Sequence, residues 1–424
     1  MVMQHESDMT PEQVLSALDE AACLEAVRPN WARSRPEPGA GIPEFLDPAR
    51  IVGFREYCGF PAETDAPLVA AARRIVRDPA LVRLARQVEW LVYEADQKPE
   101  FKGWPSLRKA LGMDAPVFYL LVGLGVVPHV RRHHRALGIP DPVTRETCFN
   151  VRCFSDSFAM QHQGQLGMPA GILAWLHHYV ADKNVYVRLG RFDFWLKPFY
   201  GGAHVYRNQQ TREVLALAEH GKRFASDGLM VGTGTAEESG EIWTSVLERD
   251  ARCVRGHPVT PDGRAERGVR ELPLAAWECV LEVPMPIADM HIPFGGGMTP
   301  EVCKESFGRI GPFFRKHFPE QFPVAVASRS WMFSPELDRM LPPESNLIWL
   351  QHNIYMYPHG GASREGPGHI FPKRPFDVET APRNTSLRRA FVDYIQAGNA
   401  WHHGAMFVLT DDLPRFGAGL YHHG

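Results

Sequence analysis

Two hydrophobic periods follow one another along the chain. Over the first 165 or so residues the apolar positions recur every three or four, the spacing of helices with one buried face. Val14, Leu15, Leu18 and Ala22 form one stripe, opened by Thr10, Pro11 and Gln13 in the pattern of a capping box. Leu81, Leu84, Val88, Leu91 and Val92 form a second, and residues 117–137 a third whose first half is almost wholly apolar. This region reads as a helical bundle without chemistry of its own. A Gly- and Gln-rich break at 161–171 and a short helix at 172–180 lead into a different text. Residues 185–189, 191–196, 241–249 and 277–283 are β-branched and aromatic with partial alternation, as in strands. A strand ending near 294, a helix, a strand at 324–333, a short helix from Pro335, strand-like text at 346–357, a helix at 386–397 and a strand at 405–409 complete the order. The expected class is α+β, with a helical domain at 1–165 and a sheet-bearing domain at 166–424. The Gly- and Pro-rich stretch 358–383 reads as a long loop, of the kind that is usually functional or mobile.

The most informative stretch is 288–318, ADMHIPFGGGMTPEVCKESFGRIGPFFRKHF. Asp289, His291 and Pro293 alternate with Met290, Ile292 and Phe294, a period of two. Gly295, Gly296 and Gly297 then allow close approach of the backbone to a ligand. Thr299 is placed to cap a helix, and Pro300 suits its first turn. Cys303, Phe307, Ile310, Phe314 and Phe318 give that helix an apolar face. A glycine loop at a helix N-terminus offers free N–H groups and a positive dipole end to an anion such as pyrophosphate. Glu301 in the first turn opposes an anion, and Pro312 predicts a kink near Gly308. The spacing is neither GxGxxG nor a Walker loop. The residues alone therefore leave phosphate binding and a tight strand-to-helix turn equally open.

HIPFGGGMTPEVCKESFGRIGPFFRKHFPE, followed by SRSWMFSPELDRMLPPESNLIWLQ, resembles the bacterial GNAT-like acyltransferase family, which joins a helical N-acyltransferase N-terminal domain to a GNAT-like C-terminal domain. The resemblance rests on His-Ile-Pro at 291–293, the glycine turn at 295–297, Pro300 and Glu301, Ser330 and Trp331, and the Leu-Pro-Pro-x-Ser-Asn turn at 341–346. It implies an all-helical first domain and a GNAT-like mixed, mostly antiparallel sheet with flanking helices. It also implies transfer of an acyl group from a thioester, acyl-CoA or a carrier protein, to an amine or hydroxyl of a small molecule. In such enzymes the strand before the loop splays from its neighbour and the thioester lies in the gap. Pro293, Phe294, Gly295, Gly296, Gly297, Met298 and Thr299 would then hold the donor. His291, oriented by Asp289, would act as base, a task that histidine's ordinary pKa suits. Ser330 would contact the reacting groups, and Trp331 and Tyr355 would contact the substrate. The sequence departs from the common pattern in one respect. The helix PELDRML lacks the tyrosine that often protonates the departing thiolate, and Tyr355 and Tyr357 are weak substitutes.

Composition narrows the alternatives. The 424 residues are 44% hydrophobic and 22% charged, ordinary for a globular protein. A net charge of −3 leaves no basic footprint for nucleic acid. Seven cysteines without a CxxC pair suit reduced thiols in a cytoplasm. The opening residues lack a basic-then-apolar signal, and the apolar run 116–127 is shorter than the ~20 residues of a membrane span. A small-molecule acceptor and a thioester donor are the partners expected, with no nucleic acid and no membrane, and a homodimer is compatible with the sequence. Nineteen histidines raise the question of metal. His129 and His133 share a helical face, but position 130 is Val rather than the Glu of a zinc-protease motif, and Arg131 and Arg132 repel a cation. No metal is expected. A non-catalytic acyl-CoA-binding module and, further off, a metal-dependent hydrolase are the competing readings.

Overall fold

The computed structural model describes residues 9–37, 39–181, 184–234, 240–360, 370–371, 377–399 and 401–422. The chain forms two compact units. The first comprises residues 1–189 with 292–295, and the second residues 190–291 with 296–424.

The first unit is a helical bundle ending in the strand Val185–Leu189. Its first described helix, Pro11–Ala17, carries the expected capping box: the Thr10 side chain accepts from the Gln13 backbone, and the Gln13 side chain accepts from the Thr10 backbone. Helix Pro79–Tyr93 buries Leu81, Leu84, Val88, Leu91 and Val92 along one face. The apolar text at 117–137 forms two helices rather than one, Ala115–Leu124 and Val126–Ala136, with Gly125 between them. Glycine is a poor helix former, and here the chain changes direction of burial. Every residue of Ala115–Leu124 except Pro116 is buried, whereas Val126–Ala136 exposes its arginines. The segment Arg108–Ala136 is long and apolar enough to cross a membrane by composition, but 72% of its most apolar window is buried inside the protein. It is a core element of the bundle. His129 stacks on Tyr93 with ring centroids 4.6 Å apart, and His133 Nε2 meets the Asn184 carbonyl at 2.8 Å. Their shared helical face thus serves packing.

The second unit holds the sheets. Within it the main sheet runs in the order Phe192–Pro198, Pro286–His291, Ala325–Ser330, Gly404–Leu409, Tyr355–Pro358. Only the contact between Pro286–His291 and Ala325–Ser330 is parallel; the others are antiparallel. A second sheet, in the order Trp277–Leu281, Ala203–Asn208, Val214–Ala218, Pro258–Val259, packs on one face of the first. Ile287, Ala327, Tyr357 and Phe407 from the main sheet meet Val205, Ala216 and Ala218 from the second. Small alanines opposite bulky aromatics let the layers approach. Helix Pro300–His317 buries Cys303, Phe307, Ile310 and Phe314. The Phe307 ring lies edge-on to Phe192 at 5.7 Å and flat on Phe416 at 4.2 Å.

Several sequence expectations change here. Residues 346–351 form the helix Asn346–Gln351, not a strand. Its buried positions, Leu347, Ile348, Leu350 and Gln351, have helical spacing, and a short apolar run alone cannot separate the two readings. Strand Ala325–Ser330 stops before Trp331, which begins a 3-10 turn capped by the Ser330 side chain. Helix Pro300–His317 includes Pro312 within its span. Ala203–Asn208 and Val214–Ala218 went unread as strands. The text VLALA favours helix by propensity, and its strand state is imposed by pairing with Ala203–Asn208. The loop expected at 358–383 falls largely outside the described residues.

Candidate active site

The site begins with a lapse in hydrogen bonding. The parallel ladder between Pro286–His291 and Ala325–Ser330 pairs Ile287 with Ala325, Ala288 with Val326 and Asp289 with Ala327, and then stops although both strands continue. Beyond that point the Ser328 hydroxyl donates to the Met290 carbonyl at 2.7 Å. A side chain thus takes the place of the next backbone bond at these strand ends. His291 and Arg329 follow the last paired residues on their strands.

Alternation places Asp289 and His291 on one face, as the sequence suggested. His291 Nε2 lies 3.0 Å from Asp289 Oδ2. The imidazole as a whole is 29% exposed, while its Nε2 is buried against Asp289. Lys197 adds a partner that the sequence did not reveal. It stands on the neighbouring antiparallel strand, where Ile287 is its Cα partner, and its Nζ is 2.5 Å from the same Asp289 oxygen. Asp289 is nearly inaccessible. Burial pushes its pKa up, but the imidazole of His291 and the charge of Lys197 outweigh that and hold the carboxyl below its ordinary value. The site therefore contains a buried carboxylate shared by an imidazole and an ammonium.

Aromatic and cationic groups surround this core. The Lys197 ammonium lies 4.6 Å from the Trp195 ring centre and 5.5 Å from that of Tyr200. The Arg329 guanidinium sits 4.2 Å over Tyr200. Burial drives the Tyr200 phenol well above its ordinary pKa, with Tyr357 and Asp289 adding to the effect, so it stays protonated. His359 stands edge-on to Tyr200 at 5.4 Å. Burial, then Arg329, push its pKa down to about 4 and keep it neutral. Gly202 makes the close packing possible: a Cβ there would meet Tyr357 at 2.7 Å and His359 at 2.9 Å.

The glycine turn follows His291. Residues 294–297 are exposed, and Gly295 and Gly296 have φ of 85° and 67°, the left-handed region that glycine enters freely. Arg191 was not anticipated here. Its guanidinium donates to the Gly297 carbonyl at 3.2 Å and the Gly296 carbonyl at 3.4 Å, so a cation holds the turn. Met298 packs against the apolar cluster of Leu337, Ile348 and Trp401, anchoring the far end. Thr299 occupies the N-cap with extended backbone, but its side chain makes no capping bond to the helix backbone. Pro293 is buried and Phe294 is 39% exposed.

Ser330, Trp331 and Tyr355, the remaining predicted residues, have local partners of their own. The Ser330 hydroxyl accepts from the Met332 backbone, a local cap. Trp331 packs against the same cluster as Met298, with its ring centre 6.2 Å from that of Trp401. Tyr355 is buried between the sheets, stacked on Phe407 at 4.7 Å; its hydroxyl donates to the Val259 carbonyl and accepts from Ala216. His402 is buried and bonded to Glu336. Among the described residues no group of three or more metal-ligating side chains converges.

Comparison with known families identifies the two parts of the chain. The GNAT-like C-terminal domain matches residues 186–407, and the N-acyltransferase N-terminal domain matches residues 49–180. The chain belongs to the GNAT-like acyltransferase family and is an N-acyltransferase of that class. Solved structures share the fold. An acyltransferase mutant in complex with octanoyl-CoA is 23% identical with a TM-score of 0.60, over 95% of this chain and 99% of that one. An acyltransferase in complex with CoA and 10C-teicoplanin is 22% identical with a TM-score of 0.61, over 95% of this chain and all of the other (100%). An acyltransferase with decanoyl-CoA and teicoplanin is 22% identical with a TM-score of 0.60, over the same shares. No curated protein matches the sequence.

Proposed function

We propose that this acyltransferase moves an acyl group from acyl-CoA to an amine, or a hydroxyl, of a small molecule, with His291 as the base. The observation that carries the reading is the lapse of the ladder after Asp289 and Ala327, with His291 at its edge and the exposed glycine turn directly beyond. An extended thioester needs such a break in the ladder, and its pyrophosphate needs accessible N–H groups beside a helix N-terminus. Gly295, Gly296, Gly297 and Thr299 are proposed to meet the pyrophosphate, with Arg191 holding the turn. Asp289 orients His291, and Tyr200, kept protonated, is proposed as the acid for the departing thiolate. Similar structures with octanoyl- and decanoyl-CoA favour a medium-length acyl donor, and those with teicoplanin favour an acceptor of natural-product size. Residence in the cytoplasm belongs to the same proposal and is supported by seven free thiols.

Native mass spectrometry against a panel of acyl-CoAs tests the donor. Saturable binding with release of free CoA upon addition of an amine supports transfer, and binding without release in any acceptor panel points to a binding module. His291→Gln keeps size and hydrogen bonding but cannot carry the proton. It should lower kcat/KM by roughly 10²- to 10⁴-fold; full activity would remove His291 from the chemistry.

A further inference from the structure

We propose that Lys197 is an internal acyl acceptor: when no outside amine is present, its ε-amine takes the acyl group from the bound donor. The inference rests on the acyl-CoA reading above. Its basis is positional. The Lys197 Nζ and the His291 Nε2 contact one and the same oxygen of Asp289, at 2.5 and 3.0 Å. The two nitrogens are therefore no farther apart than those two contacts laid end to end. The Lys197 side chain is 20% exposed, so it faces accessible space. Other described lysines lack this setting. Lys109 pairs with Asp19 and Lys222 with Glu219, both well exposed, and neither carboxylate also holds a histidine. The enzyme thus keeps a primary amine, the very group it acylates, beside its own base.

The step balances simply. The ammonium of Lys197 gives one proton to His291, which passes it to water. The free amine attacks the thioester carbonyl, forming a C–N bond. The C–S bond breaks and its electron pair leaves on sulfur. The second nitrogen-bound proton goes to that thiolate, giving free CoA and an Nε-acyl-lysine. The ion pair with Asp289 must loosen first, so the reaction is slow beside transfer to an outside amine. The product is an amide, which water does not readily cleave, so the modification accumulates to one per chain. It also removes the positive charge facing Asp289 and places an acyl chain beside the base. Exposure to donor without acceptor should therefore inactivate the enzyme over time.

The full-length protein is incubated with octanoyl-CoA in the absence of amine and followed by intact mass and peptide mapping. The expected result is one octanoyl group per chain, on Lys197, formed at least about tenfold faster than any adduct on exposed Lys109, which reports uncatalysed acylation. Activity should fall in parallel with the adduct, and an excess of amine acceptor should slow both. His291→Gln should reduce the rate of Lys197 acylation by about 10²-fold. Lys197→Arg keeps a cation for Asp289 and should lose the adduct while still binding octanoyl-CoA. A protein that binds octanoyl-CoA and acylates an added amine, yet leaves Lys197 unmodified or modifies it no faster than Lys109, overturns this inference and leaves the proposed function standing. A protein that binds no acyl-CoA overturns both.

Discussion

Asp289 must be an anion in a place that disfavours anions. Its charge survives burial because His291 and Lys197 share one of its oxygens. That arrangement makes its contribution to stability pH-dependent in a fixed direction. The folded-state pKa lies below the ordinary aspartate value, so the stabilisation is complete above roughly pH 4 and is lost as pH falls through the folded value. Asp289→Asn should therefore differ most from the parent in urea midpoint near neutrality, and the two should converge in acid. A constant gap down to pH 2 would mean that the carboxylate charge is not what matters. At this scale the sequence was half legible. Period-two alternation placed Asp289 and His291 on one face, because it depends on neighbours alone. Lys197 was hidden, since its relation to Asp289 requires the register of two strands some ninety residues apart. Ser330 and Tyr355 followed from the family resemblance; what the sequence did not show is that their hydroxyls bond locally, to Met332 and to Val259 and Ala216.

Among elements, the glycine turn and the parallel strand pair carry the most testable content. Gly296 has a φ of 67°, and a Cβ there would lie 3.5 Å from the Arg191 guanidinium. Gly296→Val would force a β-branched residue into left-handed backbone, at a cost of roughly 1–2 kcal/mol. Because residues 294–297 are exposed, the fold should persist while the turn deforms, and octanoyl-CoA affinity should drop about tenfold or more by calorimetry. Unchanged affinity in the folded variant would take the pyrophosphate away from this turn. Ser328→Ala removes the hydroxyl that serves the Met290 carbonyl and should cost about 1–3 kcal/mol, the range for stranding a buried polar group. A variant as stable as the parent would show that water or backbone readily replaces that hydroxyl. The strand–turn–helix succession at 286–317 was legible because each part announces itself locally: alternation, then glycines, then a spaced apolar stripe. Helix Asn346–Gln351 was not, because six residues are too few for one period to prevail over the other.

At the scale of the molecule, the main sheet and the four-stranded sheet of the second unit are joined by an ion pair as well as by apolar contact. Arg207 from strand Ala203–Asn208 makes paired hydrogen bonds to Asp412, at 3.1 and 2.5 Å, in the turn after the last main-sheet strand. Both side chains are almost fully buried, and the Tyr421 hydroxyl adds a bond at 2.9 Å. Breaking such a pair from one side leaves a charge buried alone. Asp412→Ala should lower unfolding free energy by roughly 3–5 kcal/mol in urea titration; a loss under 1 kcal/mol would show that the unit relaxes to admit water. The helical first part and the sheet-bearing second part were legible in the change of hydrophobic period. The second sheet was not, since strands such as Val214–Ala218 acquire their state only from distant partners. The parallel ladder has a further consequence. Three residue pairs hold it, while the antiparallel ladders on either side each have six. The main sheet is thus two well-laced panels sharing one short seam. Thermal breathing of the sheet should concentrate along that seam, and its amides should exchange with deuterium before those inside either panel. Compliance would then be greatest where an acyl chain has to be admitted, so that length tolerance for the donor becomes a mechanical property of the sheet rather than of any one side chain.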